Sequence, residues 1–268
     1  MSRIAALFSR LAAERRKALV PFITAGDPSR EATVPVMHAL VAAGADLLEL
    51  GVPFSDPMAD GPVIQRSSER ALDRGVSSSD VFAWVREFRR GDALTPVVLM
   101  GYLNPVEMRG ADAYAAQASA AGVDGLLLVD LPPEEAGPIR ASLNACGLDL
   151  ISLAAPTTSA ERLRQLADSA QGYLYYVSFA GVTGASITDA GDVATKAGAL
   201  RAMSRVPLLI GFGIKDAASA AAMAVIADGI VVGSALVEHI ASSTTAEVAA
   251  QRAGAFLKPL RASLDALP

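Results

Sequence analysis

The stretch Glu49-Leu-Gly-Val-Pro-Phe-Ser-Asp-Pro-Met-Ala-Asp60 sets one carboxylate in an apolar run and two more, Asp56 and Asp60, in the loop that follows. Leu47, Leu48 and Leu50 surround Glu49, while Pro53, Pro57 and Pro62 restrict the loop backbone. One acid in an apolar wall and another on a solvated loop can have well-separated pKa values, a workable arrangement for acid–base chemistry. A strand-end acid followed by a polar turn explains the same residues, and spacing alone leaves both readings open.

Something must position these acids, and the chain supplies a repeating scaffold. Short Val/Leu/Ile runs alternate with helical segments. The predicted strands are Leu19–Thr24, Ala45–Gly51, Pro96–Met100, Gly125–Asp130, Asp149–Ala154, Tyr173–Ser178, Pro207–Gly211 and Gly229–Gly233. Near-continuous apolar runs are the pattern of parallel strands covered on both faces. Eight β–α units in 268 residues predict one (β/α)8 TIM barrel domain over residues 1–268, with a doubly wound open sheet as the alternative. In a barrel, chemistry gathers at the C-terminal ends of the strands. Period-two alternation then puts Leu47, Glu49 and Gly51 on one face, assigned to the interior. Predicted helices follow Asp27-Pro28 and Ser79-Asp80 and cover Pro105–Ala121, Pro133–Asn144, Ser159–Asp168, Lys215–Ile226 and Thr245–Leu264. Asp27, Ser159 and Ser234 are expected N-caps. Ile4, Leu7, Phe8 and Leu11 sit at helical spacing, so the arginine-rich N-terminus reads as an amphipathic helix over one end of the core, not a transit peptide.

Late glycine turns form a second signal. Gly181-Val-Thr-Gly184, Gly211-Phe-Gly-Ile214 and Gly233-Ser-Ala235 follow the last three strands, the last entering a short helix. Barrels often bind phosphate there, on backbone N–H groups and a helix N-terminus. Tight strand-to-helix turns would need glycine as well. Lys215 is the only nearby cation in sequence, so neutral donors should do most of the binding. The Gly/Ser/Thr-rich segment 179–192 is long for a βα loop and suits a lid. Phe22, Met100, Tyr102, Leu127, Val129, Leu153, Tyr175 and Phe212 fall at strand ends, and the aromatic ones near the rim could sandwich a flat apolar ligand.

Composition narrows the function class. Hydrophobic residues make up 52% and charged residues 19%, which supports a large core. The formal charge of −5 carries no basic patch, which argues against nucleic acid. With one cysteine and two histidines, His38 and His239, neither an internal disulfide nor a Cys/His metal cluster is expected. Both histidines lie in helical segments, away from strand ends. No apolar run reaches the roughly 18 residues of a membrane span, and the chain reads as cytoplasmic.

Over essentially its whole length the chain resembles the α subunit of tryptophan synthase. The matching motifs are Pro21-Phe-Ile-Thr-Ala-Gly-Asp-Pro28, the stretch from Glu49 to Gln65, Tyr102-Leu-Asn-Pro105, Asp130-Leu-Pro-Pro133, Ala155-Pro-Thr-Thr158, Gly181–Gly184 and Gly211–Ile214. The resemblance implies a (β/α)8 fold and retro-aldol cleavage of indole-3-glycerol phosphate to indole and glyceraldehyde 3-phosphate. It implies no cofactor in this chain and a pyridoxal-phosphate-dependent β subunit as partner, in an αββα assembly that passes indole through a tunnel. By motif, Glu49 and Asp60 are the catalytic pair. Glu49 moves protons, oriented by Tyr175, and Asp60 stays ionised on its wetter loop to hold the indole N–H. Phe22, Met100, Tyr102, Leu127, Tyr175 and Phe212 would bind substrate along its ring. Gly184, Gly213, Gly233 and Ser234 would hold its phosphate, and Thr183 would close the lid against Asp60. Asp56, Pro57, Met58, Asn104 and Pro132 would meet the β subunit. Gly101, Leu103, Phe179 and Ala180 depart from residues common in the family.

Two other functions fit parts of this pattern: a regulatory subunit that only activates a β partner, and another phosphate-binding barrel enzyme. The Glu49–Asp60 stretch speaks against both.

Overall fold

A computed structural model of the chain describes residues 2–177, 190–211 and 213–267. Eight parallel strands close into a barrel in sequence order. They are β1 (Ala18–Thr24), β2 (Leu48–Gly51), β3 (Val97–Gly101), β4 (Gly125–Leu128), β5 (Asp149–Ala154), β6 (Leu174–Val177), β7 (Leu208–Gly211) and β8 (Gly229–Val232). All eight predicted strands are present, and the open-sheet alternative falls because β1 pairs with β8.

Alternation sorts the side chains as expected. Ala18, Val20, Leu47, Val98, Leu127, Ile151, Tyr173, Tyr175, Leu209 and Val231 pack together inside the barrel. Their sequence neighbours Leu19, Leu48, Leu50, Val97, Leu99 and Leu126 face the helices instead. The first helix, α1 (Arg3–Glu14), is amphipathic as read, and Ile4, Leu7, Phe8 and Leu11 join the inner core. That contact covers the N-terminal end of the barrel and leaves the C-terminal end for chemistry.

The covered end is tied by a repeated device. The N–H groups of Leu19, Val97 and Leu208, at the starts of odd strands, donate to Asp46 (3.0 Å), Asp124 (2.8 Å) and Asp228 (3.0 Å). Gln171 Oε1 does the same for Leu150 at 3.2 Å. Each acceptor lies one to three residues before an even strand, so each odd–even pair is pinned at its base. Arginines neutralise the buried acids: Arg16 and Arg261 on Asp46, Arg3 and Arg89 on Asp124. A buried carboxylate needs such partners to remain charged.

Several helices start or stop elsewhere than the sequence suggests. After Asp27 come a 3-10 turn at Arg30–Ala32 and α2 (Thr33–Ala42). Asp27 caps neither; its buried carboxylate takes a two-pronged ion pair from Arg70. Next come α3 (Pro62–Asp73), which the sequence reading lacks, and α4 (Ser78–Gly91), capped by Ser77 with Asp80 closing a capping box. The predicted 105–121 helix divides into α5 (Leu103–Arg109) and α6 (Ala111–Ala121) at Gly110, whose φ of 81° breaks helical geometry. Then follow α7 (Ala136–Ala145), α8 (Ala160–Ser169), capped as expected by Ser159, and α9 (Ala190–Met203), also unforeseen. The last three are α10 (Ala217–Ala224), α11 (Ser234–Ile240) and α12 (Ala246–Asp265). Gly233 is the N-cap of α11, and Ser234 is its first helical residue.

Candidate active site

At the C-terminal end of the barrel lies a cavity of about 410 Å³. Its wall holds Glu49 from β2, Asp60 and Met58 from the loop after it, Phe22 from β1 and Met100 from β3. Val129, Leu153, Tyr175 and Val177 add apolar surface, and Gly211, Gly213, Gly233, Ser234 and Ala235 form a separate polar stretch. Glu49 and Asp60 thus share one cavity with the glycine turns after β7 and β8.

Glu49 is completely buried. Its Oε1 accepts a 2.6 Å hydrogen bond from the Tyr173 hydroxyl, while Oε2 has no hydrogen-bond partner among the described residues. Desolvation pushes its carboxyl up to about 7, against the smaller opposing effect of the Tyr173 bond. Such a group exchanges protons readily near neutral pH. Because Oε1 is already an acceptor, the proton of neutral Glu49 belongs on the free oxygen.

The hydroxyl on Glu49 is therefore Tyr173's, where the family resemblance pointed to Tyr175. Both tyrosines face inward from the sixth strand region, two residues apart, and period two cannot say which one meets a residue on β2. Tyr175 lines the cavity instead, with its hydroxyl against Gly211. A Cβ on Gly211 would fall on that hydroxyl oxygen, so only glycine leaves room for it.

Asp60 is drier than its loop position suggests. Burial pushes its carboxyl above the ordinary aspartate range, and a hydrogen bond from Tyr102 opposes that shift. The Tyr102 hydroxyl donates to Asp60 Oδ2 at 3.0 Å and accepts the Ala59 N–H at 3.0 Å. Its ring stacks on Phe54, with centroids 4.9 Å apart. Tyr102 therefore backs the acid and stands outside the lining of the large cavity; with Asp60 and Met100 it lines a small adjoining pocket. Leu127 is likewise fully buried in the inner core, away from the cavity wall.

The start of α11 supplies the polar stretch. The first N–H groups of a helix have no intrahelical acceptor, and no side chain caps α11. Ser234 and Ala235 sit on the cavity wall beside Gly233, so backbone donors, a hydroxyl and the helix dipole meet there. Lys215 is exposed and outside the lining. An anion in this place would be held by neutral donors. Thr183, Gly184 and Phe212, with the lid segment through residue 189, lie outside the described residues.

The expected partner residues gather around the same rim. Asp56, Met58 and Asn104 are exposed, and Pro57 and Pro132 half-buried. Met58 is 83% exposed although it also edges the cavity. Among the described residues no group of three or more His, Cys, Asp or Glu is placed to hold a metal ion. No described helix is long and apolar enough to cross a membrane.

Comparison with known proteins agrees with this geometry. The profile of the tryptophan synthase alpha chain family matches residues 8–264. The tryptophan synthase alpha chain of Xylella fastidiosa strain M12 is 64% identical over 267 residues, covering 100% of both chains. That of Xanthomonas euvesicatoria pv. vesicatoria is 65% identical over 266 residues, covering 99% of each. The crystal structure of tryptophan synthase subunit alpha from Legionella pneumophila superposes with a TM-score of 0.93 at 48% identity, covering 100% of both chains. The chain belongs to the tryptophan synthase alpha chain family, the lyase subunit that cleaves indole-3-glycerol phosphate.

Proposed function

We propose that Glu49 moves the protons of this cleavage and that Asp60 stabilises the charge it creates. Neutral Glu49 gives the proton on Oε2 to indole C3, which breaks the aromaticity of the pyrrole ring and leaves positive charge on the indole nitrogen. The Asp60 carboxylate accepts the indole N–H and offsets that charge. The glycerol hydroxyl beside the scissile bond then loses its proton to the Glu49 carboxylate. As that O–H pair becomes the aldehyde C=O, the C–C bond breaks, and its electrons return to the ring as indole. Glu49 ends neutral, ready for the next cycle. A carboxyl near 7 serves both halves of this exchange without a large driving-force penalty in either.

The observation that carries this reading is a completely buried carboxyl with one oxygen held and the other free, in a cavity shared with Asp60 and the start of α11. In this reading Phe22, Met100, Val129 and Leu153 flank the indole ring, and Gly213, Gly233 and Ser234 hold the phosphate. The whole chain, residues 1–268, works as one cytoplasmic domain in an αββα assembly. Asp56, Pro57, Met58, Asn104 and Pro132 meet a β subunit that carries the pyridoxal phosphate, and this chain uses no cofactor of its own. An indole-release assay from indole-3-glycerol phosphate, with and without added β subunit, tests the reading. Release by the chain alone, increased by the β subunit, is expected; no release in either arm overturns it.

A further inference from the structure

We infer that Gln65 is a positioning residue for Asp60. Its side-chain amide donates to two main-chain carbonyls of the loop in front of it: Asp60 O at 2.9 Å and Pro57 O at 3.3 Å. Those carbonyls bracket the tight turn in which the Asp60 N–H donates to Pro57 O at 3.0 Å. Both N–H bonds of one amide are thus spent on the two ends of the turn that carries the acid. An amide is well suited to this task, because its NH₂ group can donate twice from one atom.

A clamp positions only if it is itself fixed, and α3 is fixed. Two residues past Gln65, Ser67 shares a 2.6 Å hydrogen bond with Thr24 at the end of β1. One turn further, Arg70 grips the buried carboxylate of Asp27 with bonds of 2.7 and 2.8 Å. Gln65 therefore projects from a helix tied to the barrel rim. Tyr102, from the neighbouring strand end, holds the Asp60 carboxyl and the Ala59 N–H. Side chain and main chain of the acid are held by separate elements. Removing the Gln65 donors leaves the turn held by its own Asp60–Pro57 bond and the acid by Tyr102, so the carboxylate shifts relative to a ring that it must meet at hydrogen-bond distance.

This inference rests on the proposed role of Asp60, and the test separates the two. The variants are Gln65→Met, of similar length without donors, and Gln65→Glu, polar and of equal length without donors. Indole release is measured with each, alone and combined with Asp60→Asn, alongside thermal unfolding and binding of inorganic phosphate. Displacement of a catalytic group by about 1 Å can cost on the order of a hundredfold in rate, so either variant should lower kcat by about ten- to a hundredfold. Phosphate affinity should stay within about twofold, since that site is on other strands, and Tm within about 3 °C, as for the loss of a partly exposed hydrogen bond. In the Asp60→Asn background the same substitutions should add almost nothing, because they act through Asp60. Equal losses in both backgrounds, or wild-type kcat in both single variants, overturn the positioning role. A parallel fall in phosphate affinity and Tm overturns it as well, in favour of general support of the fold. Normal turnover by Asp60→Asn itself would overturn the underlying reading.

Discussion

The Tyr173 hydroxyl and the Glu49 carboxyl meet across the barrel interior at 2.6 Å, and their bond holds Oε1 while Oε2 has no hydrogen-bond partner among the described residues. The bond also favours the ionised form of Glu49. Tyr173→Phe should therefore raise the Glu49 carboxyl further above about 7. In the proposed cycle, which begins with neutral Glu49, the alkaline limb of kcat/KM should move to higher pH. The maximal rate should fall by about tenfold, since the proton is no longer confined to one oxygen. A pH–rate profile checks both; an unmoved limb would show that Tyr173 does not act on Glu49.

Glu49→Gln should remove acid–base catalysis, worth about 10²–10⁴ in rate, while inorganic phosphate still binds. It should also change stability in a pH-dependent way. Unfolded Glu49 titrates near 4.5 and folded Glu49 near 7, so between these values the folded protein binds more protons than the unfolded one. Wild-type stability contributed by this group is complete below the lower value and declines as pH rises through the upper one. The glutamine variant escapes that decline. Denaturant melts should give similar stabilities at low pH and an advantage of about 3 kcal/mol for the variant above pH 8, at about 1.4 kcal/mol per tenfold change in proton affinity. A constant difference across pH would contradict a buried, proton-holding Glu49.

Asp60→Asn keeps a carbonyl for the Tyr102 hydroxyl but loses the negative charge. If Asp60 offsets charge on the indole nitrogen, kcat should drop by about 10²–10³, the usual cost of losing one electrostatic stabiliser. Steady-state kinetics with indole-3-glycerol phosphate would show this, and rates comparable to wild type would exclude the role.

Gly211→Ala tests the crowding between β6 and β7. The new methyl collides with the Tyr175 hydroxyl and approaches its ring to 2.8 Å. Overpacking of this kind costs about 1–3 kcal/mol and displaces the cavity wall. Activity should fall at least about tenfold, and the double variant with Tyr175→Phe should recover part of it, since removing the oxygen relieves the worst contact. Additive losses in the double variant would refute the collision as the cause.

The strands and the inward face of β2 were legible in the sequence because period-two burial and apolar runs are local signals. The pattern at Ile4, Leu7, Phe8 and Leu11 revealed α1 for the same reason. α3 escaped notice because Pro62–Asp73 buries only a narrow stripe, Ile64, Ser67, Ser68 and Ala71, half of it serine. α9 has almost no apolar periodicity, being rich in alanine and glycine. Asp27 resembled a cap because Asp-Pro commonly opens a helix; its ion pair to Arg70 spans 43 residues and leaves no local trace.

The sequence by itself determined the barrel, the family, and the placement of Glu49 and Asp60 at one rim, since repeat order and strand-end position follow from chain connectivity. Only the tertiary structure decided what those acids touch. Tyr173 reaches Glu49 across the barrel, and Tyr102 and Gln65 hold Asp60 from two different elements. The burial that raises the Asp60 carboxyl is likewise set by the fold. Strand stagger and barrel closure set such distances, and they determine which oxygen is free and how far each proton affinity moves from its value in water.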